Sequence, residues 1–237
     1  LFSIGFGFGL HFKSSENNGL AGNLHFCTSF ILIMIIAIAA NPQQKIALEK
    51  KSFKDGIDVR WVCSSIELHR NTDADALIDC LFDSISFSIA DKPLLIHSPI
   101  KTLASLNAKG MIARFCAWNS FAEKKIWEMA VQEEDNAAWL STLMEVLGWQ
   151  YQVVKDKPGL VAPRIISMLI NEAYYALEDQ VSSIADIDTA MKLGTNYPFG
   201  PFEWAAIIGV ENVYLLLNKL SETDKRYRPA TLLGVQV

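Results

Sequence analysis

The residue types that could do chemistry in this chain are few, and each sits in a context that limits it. His97, in the run Leu95-Ile96-His97-Ser98-Pro99, is the side-chain type that can carry a proton near neutral pH. A capping or loop role is the plainer reading for a lone histidine closing an apolar run. Arg164, Ser167, Asn171 and Glu178 stack along one face of a helix. The plainer reading of that polar line is a solvated edge; the sharper one is a cleft lining.

The third candidate is the turn Ala39-Ala40-Asn41-Pro42-Gln43-Gln44. A dinucleotide-binding turn carries G-x-G-x-x-G between the first strand and its helix, so that the backbone can approach a pyrophosphate seated on the helix N-terminus. This turn has no glycine, and Pro42 removes a backbone donor. A nicotinamide cofactor bound in the usual way is therefore disfavoured. The acid expected after the second strand is missing too, since Val62 is followed by Cys63, Ser64 and Ser65. Glu67, the nearest candidate, reads more simply as a solvated loop acid. Gly5, Gly7 and Gly9 form no such turn either, because no strand precedes them and no apolar helix follows. No two of Cys27, Cys63, Cys80 and Cys116 have the C-x-x-C spacing of a zinc or redox motif, so no metal site is expected. The cysteines read as small core residues of a reducing compartment.

The elements that must position these residues follow from periodicity. Ile35 to Ala40 is a short continuous apolar run, as a buried parallel strand should be. Pro42 can start a helix that Gln43 to Ser52 continues. Further strands are expected at Ile57–Val62, Ala76–Phe82, Pro93–His97, Met111–Ala117, Ile126–Val131 and Trp149–Val154, with an amphipathic helix over Ala137–Leu147. Strands alternating with short helices predict a mainly parallel α/β sheet. Lys155 to Gly159 is the natural junction to a second, helical segment. From Leu160 to Glu178 apolar residues at Ile165, Met168, Leu169 and Ala173 predict a long helix, widened by Ile166, Ile170 and Leu177. Ser183 with Asp186 predicts the capped start of a second helix, and Gly194 its left-handed end. Gly200-Pro201 opens a third helix, Gly209 ends it, and Glu211–Leu220 is a fourth. The class is α/β plus all-α: a shortened Rossmann-like sheet domain over residues 34–157, then a helical domain over 158–237.

Residues 1–33 fit poorly with this plan and read as an extension without a place in the fold, Met34 being a natural start. The apolar stretch Phe26 to Ala40 also admits a signal peptide or an N-terminal anchor, although it is shorter than the roughly 20 residues of a membrane span. Hydrophobic residues are 51% of the 237-residue chain, which supports a sizeable core. The net charge of -5 argues against a nucleic-acid surface.

The second half closely resembles the C-terminal domain of the 3-hydroxyacyl-CoA dehydrogenase (3-hydroxybutyryl-CoA dehydrogenase) family. The resemblance rests on Asn171-Glu172-Ala173, on Ile187-Asp188-Thr189-Ala190-Met191, on Leu193-Gly194, on Tyr197-Pro198-Phe199-Gly200-Pro201-Phe202-Glu203, and on Arg226-Tyr227-Arg228-Pro229. It implies a helical domain of the 6-phosphogluconate-dehydrogenase C-terminal type, which makes a dimer interface and one wall of an acyl-CoA cleft. It also implies NAD as cofactor, NAD-linked oxidation of 3-hydroxyacyl-CoA to 3-oxoacyl-CoA, and a cytoplasmic homodimer with no nucleic-acid or membrane partner. Carried onto this chain, Ala40, Asn41 and Gln43 stand in the cofactor turn, and Ser98 and Arg164 face the substrate. Asp79 takes the place of an acid common at that strand end. The family's catalytic histidine falls on Asn119, after Arg114-Phe115, and its orienting glutamate on Glu128. Asparagine can donate a hydrogen bond but cannot shuttle a proton near neutral pH. The asparagine that polarises the substrate carbonyl falls on Pro163. A Pro-Arg pair there resembles the second, repeated helical domain of longer members.

Two functions are therefore expected. One is a family protein with reduced or lost dehydrogenase activity. The other is a non-catalytic acyl-CoA-binding or oligomerisation module of that family.

Overall fold

The computed structural model describes residues 11–12, 32–82, 90–132 and 138–235. Its centre is a strand of eight residues, Leu32–Ala39 (β2), preceded by the two-residue strand His11–Phe12 (β1). Alternate residues of β2 enter different cores. Ile36 and Ile38 join a cluster with Leu48, Leu140, Leu143, Met144 and Leu147, while Ile35, Ala37 and Ala39 join one with Leu68, Leu94, Ile96 and Leu103. A strand covered on both faces has no polar face to show, which is why it reads as an unbroken apolar run.

Helix α1 (Pro42–Glu49) follows, then β3 (Ile57–Val62), the short α2 (Ser65–Leu68), β4 (Ala76–Asp79), β5 (Ala90–His97), β6 (Gly110–Phe115), β7 (Ile126–Val131), α3 (Ala138–Leu147) and β8 (Gln150–Val153). β3 and β4 pair in parallel with opposite sides of β2, and β5 and β6 extend the sheet in parallel beyond β4. β7 returns antiparallel to β6, and β8 lies parallel to β7. The chain thus reverses its direction of travel at β2, and the carboxyl ends of β2 and β4 bound the crevice where open α/β sheets bind ligands.

The helical half comprises α4 (Ala162–Glu178), α5 (Ile184–Thr195), α6 (Pro201–Ile208), α7 (Val210–Ser221), a 3-10 turn at Lys225–Tyr227 and α8 (Thr231–Val235). Its core joins Ile170, Tyr174, Trp204, Leu216 and Leu217 to Trp118 and Phe121 of the β6–β7 turn. The motif of this half is a hydrogen-bond device. Asp188 of α5 accepts from the N–H groups of Phe202 (2.9 Å) and Glu203 (3.3 Å), capping the start of α6. Glu203 reaches back to the Gly200 N–H at 2.9 Å and pairs with Lys192 at 2.5 Å.

Several sequence expectations need correction. The extension before Met34 is not without a place: β2 begins at Leu32, and His11–Phe12 pairs with Leu32 and Ile33. From Leu32 onward the apolar stretch is a strand rather than an anchor helix; residues 26–31 lie outside the described residues. No helix among the described residues is long and apolar enough to cross a membrane. Helix α4 starts two residues late because Gly159 and Leu160 both have positive φ, 83° and 49°. Helix α5 runs through Gly194 and ends on Asn196, left-handed at φ 55°.

The largest correction concerns the faces of α4. Ile165 is 56% exposed, whereas Ser167 and Asn171 are buried at 0% and 2%. Asn171 donates to Arg228 O (2.8 Å) and accepts from the Ala230 N–H (2.8 Å), and Glu178 accepts from the Leu232 N–H (2.6 Å). Much of the polar line is a dock for the chain's own C-terminal segment, neither a solvated edge nor a cleft lining.

At Gly200 an added Cβ would stand 2.3 Å from the Asp188 carboxyl carbon. Gly200→Ala must displace the cap of α6, combining about 1–3 kcal/mol of overpacking with about 1 kcal/mol of lost capping. A fall of about 4–16 °C in a circular-dichroism melt is expected; an unchanged melt would show that Asp188 has room to move.

Candidate functional site

The turn after β2 is closed by its own side chains. Asn41 caps α1, its Oδ1 accepting the Gln44 N–H at 2.9 Å, and Gln44 Oε1 accepts the Asn41 N–H at 3.0 Å. Gln44 itself is buried, and its Nε2 donates to Cys80 O (3.1 Å) beyond β4 and to Ala117 O (3.0 Å) beyond β6. Among the described residues, only Gln43 keeps a first-turn N–H without a partner, since Pro42 has none and the Lys45 N–H bonds Asn41 O. A dinucleotide pyrophosphate needs a cluster of such donors and open backbone beside them. The donors of Asn41 and Gln44, and the space between the strand ends, are already taken. Ala40 and Gln43 lie at this turn but offer no enclosed anion seat. Glu67 is exposed, as expected of a solvated acid, and accepts from the Cys63 N–H (3.1 Å) in the first turn of α2.

Asn119 and Glu128 come from the two limbs of the β6–β7 turn. Asn119 is exposed, although its neighbours Trp118 and Phe121 are buried in the helical core. Glu128, on β7, has both oxygens on the start of α4. Oε2 accepts the Val161 N–H at 2.8 Å and Oε1 the Ala162 N–H at 2.9 Å. A carboxylate suits this place because the first-turn donors of a helix lack internal partners and carry partial positive charge. Beside it lies a crevice lined by Cys116, Phe121, Lys124, Glu128 and Pro163, with about 10 Å³ of free space, room for about one water molecule. Lys124 is held below the usual lysine range by burial, against which Glu128 pulls upward.

Ser98 is buried; its hydroxyl donates to Lys101 O at 2.8 Å, and its carbonyl accepts from Arg114 at 2.8 Å. Arg164 donates to Pro158 O at 2.6 Å. His97 has the capping role: its Nδ1 accepts the Ala117 N–H at 2.8 Å. Asp79 is fully buried and accepts from the Ser65 hydroxyl (2.9 Å) and the Leu81 N–H (3.0 Å).

The residues that sequence reasoning passed over are Gln44, Arg114, Lys124 and Asp156. Arg114 is 0% exposed, pairs with Asp156, and donates to Ser98 O and to Lys157 O (2.6 Å). Its only signal in the sequence is an arginine inside an otherwise apolar strand, which demands a buried partner.

Residues 159–235 match the family model described as 3-hydroxyacyl-CoA dehydrogenase, C-terminal domain. The 3-hydroxyadipyl-CoA dehydrogenase of Escherichia coli (strain K12) is 46% identical over 82 residues, 34% of this chain and 17% of that protein. A 3-hydroxybutyryl-CoA dehydrogenase of Bradyrhizobium diazoefficiens is 42% identical over 89 residues, 37% of this chain and 30% of that protein. The matched stretches thus span less than a third of either relative. Among solved structures, the (S)-3-hydroxybutyryl-CoA dehydrogenase of Ralstonia eutropha superposes with a TM-score of 0.66 at 19% identity, covering 86% of this chain and 93% of that one. That likeness extends the shared fold to the sheet domain.

Burial pushes His97 down to about 4, against about 6.5 in an unfolded chain. Between those values the unfolded chain holds a proton that the folded one lacks. Stability therefore falls as pH drops from about 6.5 to about 4, and levels off below. The expected loss over that range is on the order of 3 kcal/mol. Urea unfolding at pH 7 and pH 4.5 should show a smaller difference in His97→Gln than in wild type; equal differences would remove His97 as the cause.

Proposed function

We propose that this chain, which carries the C-terminal domain of the 3-hydroxyacyl-CoA dehydrogenase family, does not itself turn over 3-hydroxyacyl-CoA and serves as an oligomerisation module of that family. The supporting observation is Glu128. The residue that the family resemblance assigns to orienting a catalytic histidine holds two backbone N–H groups of α4 instead. Opposite it in the resemblance stands Asn119, which cannot shuttle a proton near neutral pH. Ser98 and Arg164, the two residues assigned to substrate, are hydrogen-bonded to backbone carbonyls of Lys101 and Pro158. Pro163 at the start of α4 has no side-chain amide with which to polarise a carbonyl.

The surface of the helical half supports the assembly reading. Val161 and Ile165, one turn apart at the start of α4, are 47% and 56% exposed, and Leu193 on α5 is 83% exposed. Large apolar side chains at that exposure on an ordered helix favour burial against another chain. A second copy is the partner we favour. Cys63, Cys80 and Cys116 are unpaired, which supports a reducing, cytoplasmic setting.

Wild-type protein is expected to show no NADH oxidation above background with acetoacetyl-CoA. Asn119→His should add little, because Glu128 remains bonded to α4. Saturable turnover that falls on Glu128→Gln would overturn the proposal. Light scattering at micromolar concentration should give a dimer, and Ile165→Glu should shift it toward monomer; a monomeric wild type would sink the assembly reading.

A further inference from the structure

Gln44 makes more hydrogen bonds across the sheet than any side chain needed merely to cap α1. Its amide oxygen holds the Asn41 N–H, and its two amide hydrogens reach Cys80 O and Ala117 O, 36 and 73 residues away in sequence. Cys80 follows β4 and Ala117 follows β6, while Asn41 follows β2. One buried amide therefore joins three chain segments at the carboxyl edge of the sheet. Its backbone N–H is taken as well, by Asn41 Oδ1. The location is the crevice beside the strand at which the winding of the sheet reverses, where a parallel α/β fold receives a phosphate group on the first helix.

We infer that Gln44 takes the place a dinucleotide pyrophosphate would occupy and performs its structural task, so that the sheet domain holds its shape without nucleotide. A pyrophosphate at this turn would be an external acceptor for the helix donors and a brace between strand ends. Here the acceptor is Asn41 Oδ1 and the brace is the Gln44 amide, both supplied by the chain. The two carbonyls have no competing donor among the described bonds, so the amide cannot swing out to admit an anion without leaving both of them buried and unpaired. An entering phosphate would also face those two carbonyl oxygens, which repel it. The inference stands apart from the lapsed acid–base pair. It concerns the turn after β2 and not the β6–β7 turn, and it would hold even if Glu128 and Asn119 proved active on some other chemistry.

The test is thermal denaturation of the full chain with and without NADH at about 1 mM, in wild type, Gln44→Met and Gln44→Glu. A ligand present at about 100 times its Kd would raise the melt by roughly 5–10 °C. No rise is expected in wild type. Gln44→Met keeps the volume and removes both donors, and a fall of about 5–10 °C is expected. Gln44→Glu, which sets a carboxylate against two carbonyls, should fall further, and NADH should restore neither. Should a variant fail to fold, amide hydrogen exchange in wild type decides. The Asn41 and Gln44 amides are expected among the slow-exchanging set, unaffected by NADH. A saturable rise of the wild-type melt with NADH, a Gln44→Met melt equal to wild type, or rapid exchange at Asn41 and Gln44 would overturn the inference.

Discussion

The arrangement depends on one buried cation. Arg114 has no exposed surface, and a guanidinium remains charged in any protein environment. Burial lowers its proton affinity, and Asp156 counters that. The penalty for burying a charge is several kcal/mol unless every donor is met, and here the donors find the Asp156 carboxylate and the carbonyls of Ser98 and Lys157. Asp156 and Lys157 belong to the connection between the two halves, so satisfying the arginine fixes that connection against β5 and β6. The Gly159 N–H then bonds Pro99 O at 2.6 Å, and the left-handed pair Gly159 and Leu160 turns the chain into α4. Glycine is required there, since an added Cβ would stand 2.9 Å from that of Arg164.

This rigidity and the engagement of the polar side chains near the strand ends have one origin. Glu128 and Arg164 help fix the start of α4, Ser98 its approach, and Gln44 the strand ends. Each is a polar side chain near the carboxyl edge of the sheet, the place from which a catalytic constellation would be drawn. A polar group can stabilise a backbone or wait for a substrate, and at these distances it does the first. The crevice between β7 and α4 is correspondingly small, with apolar Phe121 and Pro163 in its wall.

The sheet was legible because strands buried on both faces leave long apolar runs; β2 and β6 stand within a few residues of where the sequence put them. The starts of α5 and α6 were legible because Ser183, Gly200 and Pro201 act locally. Signals shared over distance were not. Asn196 instead of Gly194 ends α5, since asparagine also tolerates the left-handed region and the glycine is accommodated within the helix. The phase of α4 was misread because its buried face carries Ser167 and Asn171, and the partners of Asn171 lie 57 and 59 residues away. Hydrophobic periodicity assumes that polar means exposed, and it fails where a helix holds a chain segment by hydrogen bonds. Gln44 escaped notice for the same reason. The carbonyls it joins come together only when β2, β4 and β6 are in register. The candidate site was legible in the residues it lacks, glycines and histidine, and not in what the remaining ones do instead.

The match to the family falls on residues 159–235, which contain the Asp188–Gly200–Glu203 device and the Asn171 dock. These are folding devices: Asp188 fixes the angle between α5 and α6, and Asn171 anchors the tail that completes the helical core through Tyr227, Ala230 and Leu233. None of them needs a cofactor or a proton carrier to be useful. A helical half built this way can keep its pattern whatever stands at Asn41, Pro42 and Gln44, because the described bonds of Asp188, Glu203 and Asn171 all stay within the helical half. Resemblance in the helical half therefore reports how the chain packs, and the chemistry must be judged at the strand ends, where a glutamine amide stands in the crevice.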